Sequence, residues 1–207
     1  RRIDMKKIIV ASNNKHKIQE IEAILKDIDI EVVSLKDEGI FIEVEEDGTT
    51  FKENSYKKAK EIYDYLISKK YDNFIVMADD SGISVDALNG EPGVYSARYA
   101  GEPSDSDKNN EKLLENLKDI PWENRGGSFI CHITLIDDNG ISYDAEGVVR
   151  GIVTTELRGR DGFGYDPLFY IEKYKKTFGE IDSYEKNKIS HRSLALGKVR
   201  EIVQSIK

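Results

Sequence analysis

An α/β fold built on a mixed sheet is the architecture this 207-residue sequence predicts. Three observations predict it. Short apolar runs alternate with helical patterns through the first half of the chain. Two long β-rich runs then meet at Asp138-Asn139-Gly140, and an amphipathic helical pattern closes the sequence. Interleaved strands and helices call for parallel pairing, whereas an Asn-Gly turn between strands signals an antiparallel hairpin, so the sheet must hold both directions.

The elements follow in order. Lys6–Ala11 (KKIIVA) reads as a buried strand, and after the polar break Ser12–Asn14 the residues Ile18, Ile21, Ile24 and Ile28 recur at helical spacing. Extended chain is expected over Glu31–Leu35 and again over Gly39–Glu45. Thr50–Ser68 reads as a helix with Phe51, Ala59, Ile62 and Leu66 on one face, and Lys57, Lys58 and Lys60 on its wet face. Phe74–Ala78 is a second apolar strand, expected to end on Asp79-Asp80-Ser81-Gly82. Ser106 or Asp107 is positioned to cap a helix burying Leu113, Leu114, Leu117 and Ile120. Ser128–Ile136 and Ile141–Val153 are the hairpin strands. The final helix starts near Ser190 and is expected to bury Leu194, Val199, Ile202 and Ile206. Residues 5–207 carry no repeat or linker and are expected to form a single domain. Arg1–Asp4 precede Met5 and are expected to be an expression remnant.

Composition narrows the function. Thirty-nine acids against 31 bases leave a net charge of −8, which argues against a protein tracking a nucleic-acid backbone but permits a small anion held by local cations. One cysteine, Cys131, excludes an internal disulfide and a multi-cysteine zinc site, and no His/Asp arrangement beside it suggests a thiol nucleophile. No apolar run has the length of a membrane span and the start lacks a signal-peptide pattern, so the cytoplasm is the expected compartment and no membrane partner is expected.

Four segments are candidates for chemistry. Ser12-Asn13-Asn14-Lys15-His16-Lys17 joins a strand to a helix, where free backbone N–H groups, hydroxyls and amines suit a phosphate; a simply capped helix fits the same residues. Asp79-Asp80-Ser81-Gly82 lies at a strand end, where α/β proteins gather ligands, and with Glu45-Glu46-Asp47 offers oxygen ligands to a hard cation such as Mg²⁺. Adjacent strand residues face opposite ways, so one of the two aspartates is expected to reach a ligand; a turn with one aspartate capping the backbone is the plainer reading. Gly159–Pro167 (GRDGFGYDP) is a glycine-rich loop whose Phe163 could stack on a base or pack on the core. Lys186 with Ser190-His191-Arg192 is either a cationic binding group or a solvated helix start. His132, within an apolar strand, reads as structural.

Taken together and in register, these segments resemble the inosine/xanthosine triphosphate pyrophosphatase family, the Ham1-like proteins, over nearly the whole chain. Ser12–Lys17 with Glu20 is similar to that family's [ST]-G-N-x-x-K-x-x-E signature, Glu46–Phe51 with Glu53-Asn54 to its E-x-G-x-T-F-x-E-N segment, and Asp79–Gly82 to its D-D-S-G. Pro92–Tyr99 (PGVYSARY), Gly162–Pro167 and Ser190-His191-Arg192 complete the set. Asn13 departs from the pattern, standing where the family has glycine, although asparagine tolerates a left-handed backbone better than most residues.

The resemblance implies an elongated mixed sheet with flanking helices, two lobes around a central cleft, and a homodimer. It implies hydrolysis of ITP, dITP or XTP to the monophosphate and pyrophosphate with Mg²⁺ or Mn²⁺, a house-cleaning activity on the nucleotide pool. By position, Ser12, Asn13, Asn14, Lys15, His16 and Lys17 would hold the triphosphate, and Glu46 and Asp80 the metal, with Asp80 also the general base. Ser81 would touch the substrate, while Phe163, Gly164, Tyr165, Asp166, Lys186, His191 and Arg192 would surround the base and sugar. A non-catalytic nucleotide sensor would be expected to lack Glu46 or Asp80, and a Maf-like pyrophosphatase to lack the GFGYDP and Ser-His-Arg pair.

Overall fold

The computed structural model describes residues 6–206; the expectation for Arg1–Asp4 lies outside the described residues. Its strands are β1 (Lys7–Val10), β2 (Glu31–Ser34), β3 (Phe74–Val85), β4 (Gly126–Asp137), β5 (Ser142–Val153), β6 (Phe169–Ile171) and β7 (Lys176–Thr177). They form a seven-stranded sheet in the order β2-β1-β3-β4-β5-β6-β7. β1 runs parallel to β2 and β3, while β6 is antiparallel to β5 and β7, so the sheet is mixed, as expected. The helices are α1 (Lys15–Leu25), α2 (Phe51–Ser68), α3 (Ser106–Asn116), α4 (Ser183–Ile189) and α5 (His191–Ser205).

The chain divides into two compact units, one running up to Asp80 and joined by Cys131–Glu146 and the segment from Ala195, the other comprising Ser81–Ile130 and Gly147–Leu194. In the first unit, period-2 alternation buries both faces of the central strands. Ile8 and Val10 of β1 and Ile75 and Met77 of β3 pack with α1 and α5, whereas Ile9, Phe74, Val76 and Ala78 pack with Ala59, Ile62 and Leu66 of α2. The second unit has its own core, where Ile83, Val85, Leu113, Leu117 and an aromatic group of Phe129, Phe169 and Phe178 meet.

Several local expectations are corrected. The second apolar strand does not stop at Asp79–Gly82: β3 runs on to Val85, because Ile83 and Val85 resume the inward alternation and are buried in the second core. Gly39–Glu45 forms no strand. Its alternation is real, with Ile40, Ile42 and Val44 packed inward and Phe41 exposed, but a tight turn closed by the Ile40 N–H on the Leu35 carbonyl leads into a segment without a ladder partner. The cap of α3 is Asp105, whose carboxylate accepts the N–H groups of Asp107 and Lys108. On α5 Leu194 is exposed, and the buried stripe is Ala195, Leu196, Val199 and Val203. Ser190 closes α4 and caps α5, accepting the Ser193 N–H at 3.1 Å.

Candidate functional site

In the first unit, the loop between β1 and α1 is a capped helix start. Asn14 Oδ1 accepts the N–H groups of His16 and Lys17 at 3.0 and 3.2 Å, and Ser12 Oγ accepts the Asn14 N–H. Asn13, Lys15 and His16 lie exposed around that cap, and Asn13 does not adopt the left-handed backbone that its place in the motif suggested. Lys17 turns back toward the sheet, its Nζ 3.2 Å from Oδ2 of Asp79. That ion pair gives Asp79 a role that neither a turn nor a backbone cap explains.

The chemistry of this unit gathers on Lys58. It was expected on the wet face of α2, yet only 8% of it is exposed. Asn54, Lys58, Ile62 and Leu66 follow one another at i+4, so Lys58 lies on the buried stripe of the helix, a pattern legible in the sequence. Its ammonium donates to Glu46 Oε1 at 2.5 Å and to the backbone carbonyl of Asp79 at 2.6 Å. Burial works against that charge, but the carboxylates of Asp79, Glu46 and Asp80 outweigh it and hold the Lys58 pKa above its ordinary value. Asp80 is 4% exposed, and burial pushes its carboxyl pKa up. The Lys58 and Lys17 ammoniums and a hydrogen bond from Asn54 pull it down, and Glu46 adds to the rise. Both aspartates thus act on one lysine, and Asp80 also accepts a hydrogen bond from Asn54.

Glu46 and Asp80 offer only hard oxygen donors, in a cluster that already holds one cation, which suits Mg²⁺ or Mn²⁺. Among the described residues no three His, Cys, Asp or Glu side chains converge closely enough to hold an ion by themselves. A magnesium ion ordinarily takes one or two carboxylates and completes its shell from phosphate oxygens and water, so this donor set fits that mode of binding.

The second unit arranges its polar groups differently. Asp166, which opens the short 3-10 helix Asp166–Leu168 before β6, accepts the Phe163 N–H at 2.8 Å and the Lys186 ammonium at 2.7 Å, both partners in that ion pair being almost fully buried. Gly162 has a positive φ of 77°, and a side chain there would strike the Asp166 carboxylate, so the tight loop requires glycine. Lys186 Nζ lies 4.8 Å from the Phe163 ring centroid, and the Arg192 guanidinium carbon 5.8 Å from it. Arg192 is 1% exposed and donates from Nη2 to Ser81 Oγ at 2.9 Å, which excludes the solvated-helix-start reading. His191 is buried and stacked on Phe129 at 4.7 Å and 10°. Tyr165 points into the core, its hydroxyl donating to the Ser96 carbonyl at 2.6 Å, and burial pushes its phenol far above the usual range. Its backbone remains what it can offer a ligand.

Ser81, Phe163, Gly164, Asp166, Lys186, His191 and Arg192 therefore belong to one unit, and Ser12–Lys17, Glu46 and Asp80 to the other. His132 is structural, as expected: its Nδ1 lies 2.9 Å from Ser55 Oγ and its Nε2 3.7 Å from Asp144. Besides Lys58, the sequence reading assigned no role to Asn54, which bonds Asp80, or to Arg125. That arginine is 1% exposed and donates to the carbonyls of Val153, Leu117 and Thr154, bracing the second unit.

Known proteins resemble this chain over nearly its whole length. The sequence profile of the Ham1 family matches residues 8–202. A dITP/XTP pyrophosphatase of Clostridium perfringens is 56% identical over 202 residues, covering 98% of this chain and 99% of its own. One of Clostridium tetani is 50% identical, covering 97% and 98%. The solved structure of the Staphylococcus aureus Ham1 protein superposes with a TM-score of 0.85 at 38% identity, over 98% of this chain and all of its own.

Proposed function

This chain belongs to the Ham1 family, and on that premise we propose that it hydrolyses dITP, XTP and ITP to the monophosphate and pyrophosphate. The observation that carries the reading is the acid cluster of buried Asp79 and Asp80 with the partly exposed Glu46 around the Lys58 ammonium, with Lys17 in reach. An isolated carboxylate out of water is costly, and a fold that keeps three beside one lysine is prepared to receive further positive charge.

Each group has a task in the proposal. Ser12–Lys17 hold the triphosphate, with Lys17 matched to the leaving pyrophosphate. Glu46 and Asp80 would hold a divalent cation, Mg²⁺ with Mn²⁺ as a substitute, which would supply positive charge to neutralise phosphate oxygens. Asp80 orients a water and takes its proton as the water oxygen bonds to the α-phosphorus. The bond from that phosphorus to the bridging oxygen breaks, and its electron pair leaves with pyrophosphate. A carboxylate raised by burial is a stronger base than one on the surface, which suits Asp80 to that step. General-base assistance is typically worth about 10²–10⁴ in rate, and charge neutralisation and positioning supply more.

The second unit reads the base in this proposal. Phe163 offers a ring face, and Arg192 and His191 offer donors to the 6-carbonyl that hypoxanthine and xanthine carry and adenine lacks. The proposal also takes the assembled form to be a homodimer and the compartment to be the cytoplasm. Among the described residues no helix is long and apolar enough to cross a membrane. A panel of nucleoside triphosphates with Mg²⁺, scored for pyrophosphate against free phosphate, tests the reading. Pyrophosphate from dITP, XTP and ITP, and little from ATP, is expected; orthophosphate as the product, or no discrimination among bases, overturns it.

A further inference from the structure

Asn54, in the first turn of α2, is fully buried and uses both ends of its amide. Nδ2 donates to Asp80 Oδ2 at 3.0 Å, and Oδ1 accepts the backbone N–H of Gly48 at 2.8 Å. The first bond reaches 26 residues along the chain to β3, and the second reaches back to the turn that follows Glu46. We propose that Asn54 is a positioning residue that ties the Glu46 turn to Asp80 and so sets the spacing of the two carboxylates for a divalent cation. The inference rests on the reading of Glu46 and Asp80 as the cation's ligands.

Helix capping does not account for this residue. Thr50 accepts the Glu53 N–H, and Glu53 in turn accepts the N–H groups of Thr49 and Thr50, so the capping box is complete without Asn54. Nor does burial alone, since an apolar residue would fill the space without needing polar partners. What the position requires is a donor at one end and an acceptor at the other. Asp80 presents a carboxylate and Gly48 an N–H, and a short carboxamide serves both from one side chain. Aspartate would lose the donor and set a like charge against Asp80, while serine is too short to span the two.

The turn is drawn close on the other side as well. A side chain at Gly48 would put its Cβ 2.7 Å from Asn54 Oδ1 and 2.8 Å from Glu53 Cβ, so the backbone lies against the helix with no room for a methyl group. Lys57 and Lys58 hold Asp47 and Glu46 from the next turn of α2 at 2.7 and 2.5 Å. These pairs keep the segment down on the helix, and Asn54 links it by a hydrogen bond to the Asp80 side chain. By occupying Oδ2, Asn54 also restrains rotation of that carboxylate, as partners of metal-bound carboxylates commonly do.

Mn²⁺ affinity of the free protein, read by electron paramagnetic resonance, tests the role without turnover. Asn54→Ala is expected to weaken Mn²⁺ binding about 10- to 100-fold, the usual consequence of removing such a partner. Leu66→Ala, which loosens the same helix far from either carboxylate, is expected to leave the affinity within about twofold when both are measured well below their melting temperatures. Gly48→Ala presses on the Asn54 amide from the opposite side and should weaken Mn²⁺ in the same direction, which keeps the proposal testable if Asn54→Ala does not fold. Wild-type affinity in folded Asn54→Ala or Gly48→Ala, or an equal loss in Leu66→Ala, overturns the positioning role and leaves the metal reading standing. A wild-type protein that binds no Mn²⁺ overturns both.

Discussion

Asp80 and Arg192 are both ionic side chains taken out of water, one in each unit, and their surroundings differ in kind. Asp80 sits among other charges: the Lys58 and Lys17 ammoniums draw its pKa down, while burial and Glu46 raise it. Arg192 sits beside a hydroxyl and an aromatic ring, and its neighbour Lys186 is neutralised by Asp166 while lying over the same Phe163. The first arrangement keeps acids in excess and gains from added positive charge. The second pairs its lysine with Asp166 and sets the Arg192 donors beside a flat apolar surface. In the proposed function the first would serve bond cleavage at phosphorus and the second would tell bases apart.

Substitutions that convert one kind of site toward the other put this contrast to the test. The largest effect is expected for Asp80→Asn, which keeps shape but removes the charge and the proton acceptor, and should lower kcat on dITP by about 100-fold or more. The same change should raise the melting temperature near pH 7–8. The folded pKa of Asp80 lies above its unfolded value, so the stability tied to its protonated form is present below the unfolded pKa and is lost as pH rises through the folded one. An asparagine mimics the protonated form at every pH. Asp79→Asn, which acts on Lys17, should cost much less in kcat, and equal losses in the two would erase the distinction between them.

Lys58→Met removes the cation from the acid cluster. Breaking a buried pair costs about 3–5 kcal/mol, and the lower end is expected because Glu46 retains some water. Millimolar Mn²⁺ should restore more stability to this variant than to the wild type, in a calorimetric or fluorescence melt. An equal Mn²⁺ response in both proteins would show that the acid excess is not what receives a cation.

Arg192→Ala tests the other unit. The ITP over ATP ratio of kcat/KM should fall roughly 10- to 100-fold, the worth of a hydrogen bond to a charged group, with ATP turnover little changed. Kinetics on ITP, XTP, GTP and ATP would measure it, and an unchanged ratio would move base reading to the Phe163–Asp166 loop.

The smallest effect concerns His132, which neither cluster uses. Burial lowers its pKa against the pull of Asp144 and Glu146, with Lys52 adding to the fall. A depressed histidine favours the fold above its unfolded value of about 6.5, and that contribution is lost as pH drops through and below it. His132→Gln should flatten the stability slope between pH 7 and 5 without altering kcat at pH 7; an unchanged slope would mean that the carboxylates alone set it.

What could be read from the sequence was whatever depends on local pattern. Alternation and helical spacing placed β1, α1, α2, β4 and β5 close to where they lie, and the Asn-Gly turn announced the hairpin. These signals are local because each residue's burial is set by its own element's period. The same logic failed where a tertiary partner overrode it. Asp79–Gly82 has a turn's composition, but Ile83 and Val85 find a core and the strand continues. Lys58 follows the buried i+4 spacing of its helix, but its charge suggested water, and what keeps it inside is that Asp79, Asp80 and Glu46 arrive from elsewhere in the chain to meet it. Leu194 has an apolar side chain, but it stands off the stripe that Ala195, Leu196, Val199 and Val203 bury.

The sequence by itself therefore determined the fold class, the family and the chemical types at the site, since these reside in spacing and residue identity. Only the tertiary structure decided which charges meet. Asn54 reaching Asp80, Lys17 reaching Asp79, and Arg192 reaching Ser81 are contacts across 26, 62 and 111 residues. Their free energy depends on burial and distance, which no stretch of the chain encodes alone.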